Sequence, residues 1–384
     1  MRVKDLQILI VVVFMFTGCR EPFEPEIENA QGGVLVVEGY LDSNGLESIL
    51  SISRTAPISG VESAIPELGA LVSLIAGSGQ LFKLTELKDG KYIFQHNIPE
   101  NQSYRLEILL RNGEKYFSDP ITPIITPDIL DAGFIRDEEG VEVYLNTKGN
   151  EVADDFLWTY EETWIFRPVI RTPYIYRNNT KVVEFRKEEE QIDLCYKSET
   201  NPDLLLETSS RFKDQVVFRQ TITEIPQGDE RLMERYSILI SQKAIDQKAV
   251  EFWETIKRNT DDIGSIFSPL PSIISGNIHL EGDDDQPVVG FVSLGVIKQT
   301  RIYINLLEVI PWTFNDPEFD DCYISLEPIR IGSAQYFSDF GTGDVLPARE
   351  LLELTTTVGY YTTTRRCSDC TLYAKRGKPD FWED

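Results

Sequence analysis

Histidine is almost missing from this chain of 384 residues: His96 and His279 are the only two. Any histidine base for acyl transfer must therefore be one of them. His96 sits in the strand-like stretch "YIFQHNI", where a ring satisfied by its neighbours is the ordinary role. His279 follows Gly276-Asn277-Ile278 beside an acidic loop, where a solvated or capping role is ordinary. No GxSxG nucleophile elbow, HExxH zinc motif or phosphate-binding GxxxxGK[ST] loop occurs anywhere in the sequence.

Positive charge is also scarce. Lysine and arginine number 37 against 63 acids, a formal charge of -26. Such a balance argues against nucleic acid, whose phosphates need basic patches, and against electrostatic adhesion to anionic lipid. The acidic stretches "EGDDDQP" (281–287), "NDPEFDDC" (315–322) and "KEEE" (187–190) offer oxygen ligands for calcium. None has the glycine-punctuated spacing of a calcium loop, so they read as solvated loops, and no cofactor is expected.

Long apolar runs are absent except at the start, where Leu6 to Phe16 follows Arg2 and Lys4. A run this short reads as a secretory signal, because a spanning helix needs roughly 20 apolar residues. Thr17-Gly18-Cys19 sharpens the reading into a lipobox, with Phe16 standing where leucine is usual. The Cys19 thiol would take a diacylglycerol and become the mature N-terminus. The alternative is an ordinary signal peptide with a chance cysteine. Acyl chains contribute about 0.8 kcal/mol per buried CH2, so the anchor would be the lipid itself. Loss of residues 1–18 removes Arg2, Lys4 and Asp5, taking the charge from -26 to -27. Residues 19–33, "CREPFEPEIENAQGG", then read as an acidic, proline-containing tether.

Cysteine is sparse as well: beyond Cys19 there are only Cys195, Cys322, Cys367 and Cys370. An even number in an exported chain suggests two disulfides, with three connectivities open. Cys367-Ser-Asp-Cys370 could instead be half a zinc site or a redox pair. Zinc would want two more ligands in a chain with two distant histidines, and a redox pair would want a βα setting.

What is plentiful is strand signal. "VLVVEGYL" (34–41), "SILSISR" (48–54), "ALVSLIAG" (70–77) and "KYIFQHNI" (91–98) are β-branched and aromatic, with turn residues between them. "YRLEILLRNGEKYFS" (104–118) reads as a hairpin about Asn112-Gly113. Residues 34–120 thus predict a small β-sandwich, immunoglobulin-like or carboxypeptidase-regulatory-like. Three prolines in 119–129 make 121–129 a linker. Residues 130–384 predict a larger β-rich domain with one main helix at 241–259, capped by Ser241 and with Ile245, Ala249, Phe252 and Ile256 on one face. Residues 288–306 return to strands, read as a pair. The fold class is mainly β.

Within that domain, "DFLWTYEETWIF" (155–166) puts Phe156, Trp158, Tyr160, Glu162, Trp164 and Phe166 on one face. The row is either a sandwich core or a stacking platform for sugar rings, and the polar opposite face of Thr159, Glu161 and Thr163 favours core. Glu162 is the anomaly, since a buried carboxylate needs a partner. Contacts with a partner would be sought first at Tyr174 and Tyr176 in "RTPYIYRN" and at Pro269 and Pro271 in the loop 268–277, against the simpler role of packing on their own domain.

Several stretches together resemble one family, the lipoproteins of the Bacteroidota called domain of unknown function 4249. They are the Cys19 lipobox with "VLVVEGYL", "YEETW" (160–164), "RYSILISQKAIDQKAVEFWETIKRN" (235–259), "GSIFSPLPSIISGNI" (264–278) and "VVGFVS" (288–293). The tail residues Cys367, Asp369, Cys370, Thr371, Lys378, Pro379, Phe381 and Trp382 also match the family's ending. Tyr373 to Arg376 depart from it, standing where a glycine-rich turn is common, as do Lys243 and Ala244. The resemblance implies a lipid-anchored outer-membrane protein, facing the cell surface, that serves a TonB-dependent receptor as an accessory to nutrient uptake. Its anchor would be the lipid bilayer, and it implies no catalytic residue. The alternative expectation is a surface hydrolase or glycan-processing enzyme using paired carboxylates, which the 62 acids left after residue 18 leave open.

Overall fold

The twelve-residue strand Asp155–Phe166 is the spine of the molecule. Its even-numbered side chains are all buried, as strand alternation requires of a single inward face. The computed structural model describes residues 33–55, 64–201, 204–261, 276–283, 286–314 and 317–383. The fold is mainly β, with few helices.

Asp155–Phe166 pairs along one edge with Arg235–Ile245 and along the other with Cys195–Thr200 and Leu205–Thr208. Arg235–Ile245 passes the ladder to Val292–Asn305, which runs parallel to Leu35–Asp42. Ser48–Thr55, Lys91–Phe94 and Thr85–Glu86 complete the path through a twelve-stranded sheet. One hydrogen-bonded sheet therefore joins residues before 120 to residues beyond 130. A five-stranded sheet, Ile278–Leu280, Lys115–Ser118, Tyr104–Leu109, Leu71–Ala76 and Leu81–Lys83, covers its N-terminal end. The core between them holds Leu41, Leu50, Leu74, Tyr92 and Ile108, and also Ile278, Val292 and Leu294 from far along the chain.

The segment expected as a linker is laced onto this sheet. Ile124–Ile125 pairs in parallel with Gly295 and Val296, flanked by Pro123 and Pro127, so no proline is asked to donate to the ladder. Thr126 Oγ1 accepts from the Ala244 amide (2.8 Å), and Pro127 carbonyl accepts from Gln242 (2.9 Å).

A three-stranded sheet, Ile129–Arg136, Gly140–Lys148 and Val216–Pro226, lies over the inner face of the long strands. Val141, Val143, Leu145 and Ile225 meet Phe156, Trp158, Tyr160 and Trp164 there, so the aromatic row is core as far as Trp164. The expected turn at Asn112-Gly113 is present but one residue longer: Leu110 and Glu114 close the loop, with Gly113 at φ +91. Residues 288–306 hold Val288–Val289 and the long strand Val292–Asn305, broken at Gly290, where φ is +146 and an added Cβ would lie 1.8 Å from the Val37 carbonyl oxygen.

The main helix spans Gln247–Asp261, not 241–259. Ser241 to Ile245 belong to the strand Arg235–Ile245, where Gln242 and Ala244 face the core. Asp246, not Ser241, starts the helix, its Oδ1 accepting from the Ala249 amide at 2.8 Å. Ala249 and Phe252 then pack on Tyr40, Leu157, Ile245 and Phe291, on the sheet face opposite the aromatic row. A second helix, Ala334–Thr342, went unseen in the sequence; Ser333 caps it through the Tyr336 amide and Gly343 ends it. It packs with the hairpin Tyr174–Arg177/Val182–Phe185 and the sheet of Ile329–Arg330, Val345–Glu353 and Thr356–Thr364 around a small core of its own.

Two disulfides hold the C-terminal segment: Cys195–Cys370 and Cys322–Cys367. The tail cysteines pair with distant partners and not with each other.

Candidate functional site

The candidate site is built at the end of the spine strand. Just inside it, Glu162 is 3% exposed and its Oε1 accepts from Arg231 Nη1 (2.8 Å) and Tyr236 Oη (2.6 Å). Arg231 also grips Asp229, with Nη2–Oδ2 at 2.9 Å and Nε–Oδ1 at 3.0 Å. A buried carboxylate without such a counter-charge would be costly, and here one guanidinium serves two carboxylates. Burial, with the Glu162 charge beside it, holds the Tyr236 phenol well above its ordinary pKa. Burial pushes Asp229 up, but its bonds to Arg231 outweigh this and leave it below the usual carboxylate range.

As the strand leaves this network it becomes one wall of a cleft of about 480 Å³. Phe166 and Val169 line one side, Met233 a second, and Phe314, Phe319 and Cys322 the third. Phe166 and Phe319 pack with the Cys195–Cys370 disulfide, and Cys322 carries the second bridge, so both disulfides brace the walls. Three charged groups reach the lining: Arg167, Glu230 and Asp320. Arg167 is held by both carboxylate oxygens of Glu234 and by the Asp193 carbonyl (3.2 Å). Glu230 takes Lys197 Nζ at 2.6 Å. The lining is therefore apolar and ring-rich, with Arg167 and Glu230 at its rim neutralised from within the protein.

On the opposite face of the sheet the strands carry a polar ladder. Register sets Ser198, Thr163, Ser237 and Tyr303 in one row, Glu161, Leu239 and Arg301 in the next, then Thr159, Ser241 and Gln299. Lys243 follows, half-buried, donating to Thr159 Oγ1 at 3.0 Å; burial lowers its pKa to about 8. Arg301 donates to Ser237 Oγ (2.9 Å) under the Phe381 ring.

A second groove, of about 360 Å³, lies at the turn of the three-stranded sheet and gathers Asp137, Glu139, Glu142 and Glu224. Asp137 accepts the Gly140 and Glu139 amides, and Glu142 accepts from Arg219 and Thr221. These bonds hold both carboxyls below their ordinary range.

The profile of a domain of unknown function (DUF4249) matches residues 20–301. The chain belongs to the DUF4249 family. The matched span stops short of the tail, so Cys367 to Trp382 lie beyond it. Among solved structures, this DUF4249 member is similar to the two-fibronectin-type-III-domain segment of chicken tenascin, at 11% identity over 56% of this chain and 91% of that one, with a TM-score of 0.17. It is also similar to the adhesin InvE of Yersinia pseudotuberculosis, at 10% identity over 87% and 76% of the two chains, with a TM-score of 0.16. Likeness at that level bears on no function. A search of curated proteins finds no match.

The residues picked from the sequence fall in different places in this DUF4249 protein. Cys19, Pro269 and Pro271 lie outside the described residues. Tyr174 and Tyr176 are half-buried; Tyr174 meets Tyr360 and Phe185, and Tyr176 meets Tyr336 and Phe340. His96 Nε2 lies 2.9 Å from the Lys83 carbonyl oxygen and His279 Nε2 lies 3.2 Å from Asp119 Oδ1, at the two opposite outer strands of the five-stranded sheet. No group of three or more metal-ligating side chains occurs among the described residues. The cleft itself was missed, because its walls come from three segments far apart in sequence. One signal was present: Phe319, an aromatic residue inside the acidic stretch 315–322, is 6% exposed.

Proposed function

We propose that this DUF4249 protein is a non-catalytic, lipid-anchored protein of the outer-membrane surface, serving as accessory subunit of a TonB-dependent nutrient uptake system. The observation that carries this reading is the sequence Thr17-Gly18-Cys19 directly after the apolar run Leu6 to Phe16. Two disulfides, spanning 175 and 45 residues, support it, since such bridges persist in oxidising compartments. Two of the four carboxyls in the acidic groove run against the hydrolase alternative. A glycosidase needs one carboxyl kept protonated by a raised pKa, and Asp137 and Glu142 are held in the opposite direction.

The test is metabolic labelling with an alkyne fatty acid, followed by mild detergent extraction of native membranes. The expected result is label on the protein that vanishes in Cys19→Ser, and co-purification with a large barrel. An unlabelled protein would remove the anchor, and a labelled protein that extracts alone would remove the transporter partnership.

A further inference from the structure

We infer that the cleft between Phe166, Phe314 and Phe319 is a binding site for a compact, neutral, ring-bearing small molecule. Four observations converge on that chemistry. First, the lining is three aromatic rings, two sulfur-bearing side chains (Met233 and Cys322) and Val169. Rings and polarisable sulfur gain most from a flat apolar partner. Second, about 480 Å³ falls in the range of small-molecule sites, roughly 300–1,000 Å³.

Third, charge selects against ionic ligands. Arg167 is already paired with Glu234, and Glu230 with Lys197. A charged ligand would lose its hydration and find these ions already paired, which is costly. Fourth, the cleft opens to water and is braced. Met233 is 40% and Val169 54% exposed at the mouth, while the Cys322–Cys367 bridge fixes one wall. A site held open in advance loses less entropy when it binds. The inference stands apart from the uptake reading, since it needs neither the acyl anchor nor a transporter.

The test uses the mature chain from residue 19 carrying Cys19→Ser, free of the apolar run Leu6 to Phe16 and of acyl chains, so that no detergent competes for apolar probes. The probes are N-phenyl-1-naphthylamine, which is neutral, and its anionic counterpart 8-anilinonaphthalene-1-sulfonate, each followed by fluorescence. The neutral probe should saturate at one per chain and bind at least tenfold more tightly than the anion. Met233→Trp, which fills the mouth, should weaken it at least tenfold with an unchanged melting temperature. Leu71→Trp, at an exposed position of the strand Leu71–Ala76 in the five-stranded sheet, should leave it unaltered. Val169→Trp serves as the second filling variant should Met233→Trp fail to fold. The inference is overturned by non-saturable binding, by an anion that binds as well as the neutral probe, or by a folded filling variant that binds normally. Self-association of the chain with no probe uptake would also overturn it, by assigning the apolar mouth to a second copy.

Discussion

Arg231 donates to Glu162 across 2.8 Å in the middle of the aromatic row, and Glu162 is the only acid in that row. The pair converts the one polar position of an otherwise apolar face into a closed ion cluster with Asp229 and Tyr236. Its two members are not equivalent under mutation. Arg231→Met takes from both carboxylates the cation that bonds them and should cost about 3–5 kcal/mol, the usual range for a broken buried pair. Glu162→Gln keeps an oxygen for Tyr236 and leaves Arg231 with Asp229, so about 1–3 kcal/mol is expected. Urea denaturation of both variants decides the order, and equal losses would mean that the cluster is not electrostatically closed.

Lys243 gives a pH dependence of definite sign. Burial lowers its pKa to about 8, against about 10.4 for a free lysine. Between those values the unfolded chain holds a proton that the folded chain has lost, so this residue makes stability rise with pH there. Below pH 8 both states are charged, and the folded state bears the full cost of burying the ammonium. Lys243→Met should therefore stabilise the protein at pH 7, on the order of 2–3 kcal/mol less the lost bond to Thr159, and the gain should vanish near pH 10.5. Melting curves across that range check it; a gain independent of pH would refute the assignment.

The two disulfides should contribute unequally. Cys195–Cys370 closes a separation of 175 residues and Cys322–Cys367 one of 45. Chain-entropy arguments give each roughly 2–5 kcal/mol, with the longer loop the larger. Paired Cys→Ser variants, melted side by side, test the order. If the shorter bridge matters more, its role is to hold the wall of the cleft and not to restrict the unfolded chain.

How far these features could be read from the sequence depends on how local their causes are. Alternation is local, so Asp155–Phe166 and its inward face were legible. The helix start was misplaced because Ile245 falls four residues before Ala249 and continues the helical stripe, although it ends a strand. The Asp246 cap was there to be read, and the strand's claim on Gln242 was not. That claim comes from Trp158, Thr147 and Pro127, which bond to Gln242 from distant segments. The cleft is wholly non-local, and the acidic residues around Phe319 disguised an anchor as a solvated loop. Disulfide pairing was equally hidden, since no spacing rule joins Cys195 to Cys370.

The C-terminus offers the sharpest separation between a structural and a recognition role. Trp382 is 6% exposed, its ring edge-on to Tyr196 and Tyr303. Its amide donates to the Pro379 carbonyl at 2.9 Å, so the chain turns back at that proline. Tyr303 Oη reaches the Phe381 carbonyl at 2.6 Å, and Phe381 itself is 40% exposed, its ring stacked on the Arg301 guanidinium. Trp382 thus closes the sheet beside Cys195, whereas Phe381 is the outer member. Trp382→Ala should cost about 3–5 kcal/mol, the range for emptying a large buried aromatic site, and Phe381→Ala much less. Deleting residues 379–384 should lower the melting temperature at least as far as Trp382→Ala does. A truncated chain that melts like the intact protein would show instead that this segment is a docking peptide and not a part of the fold.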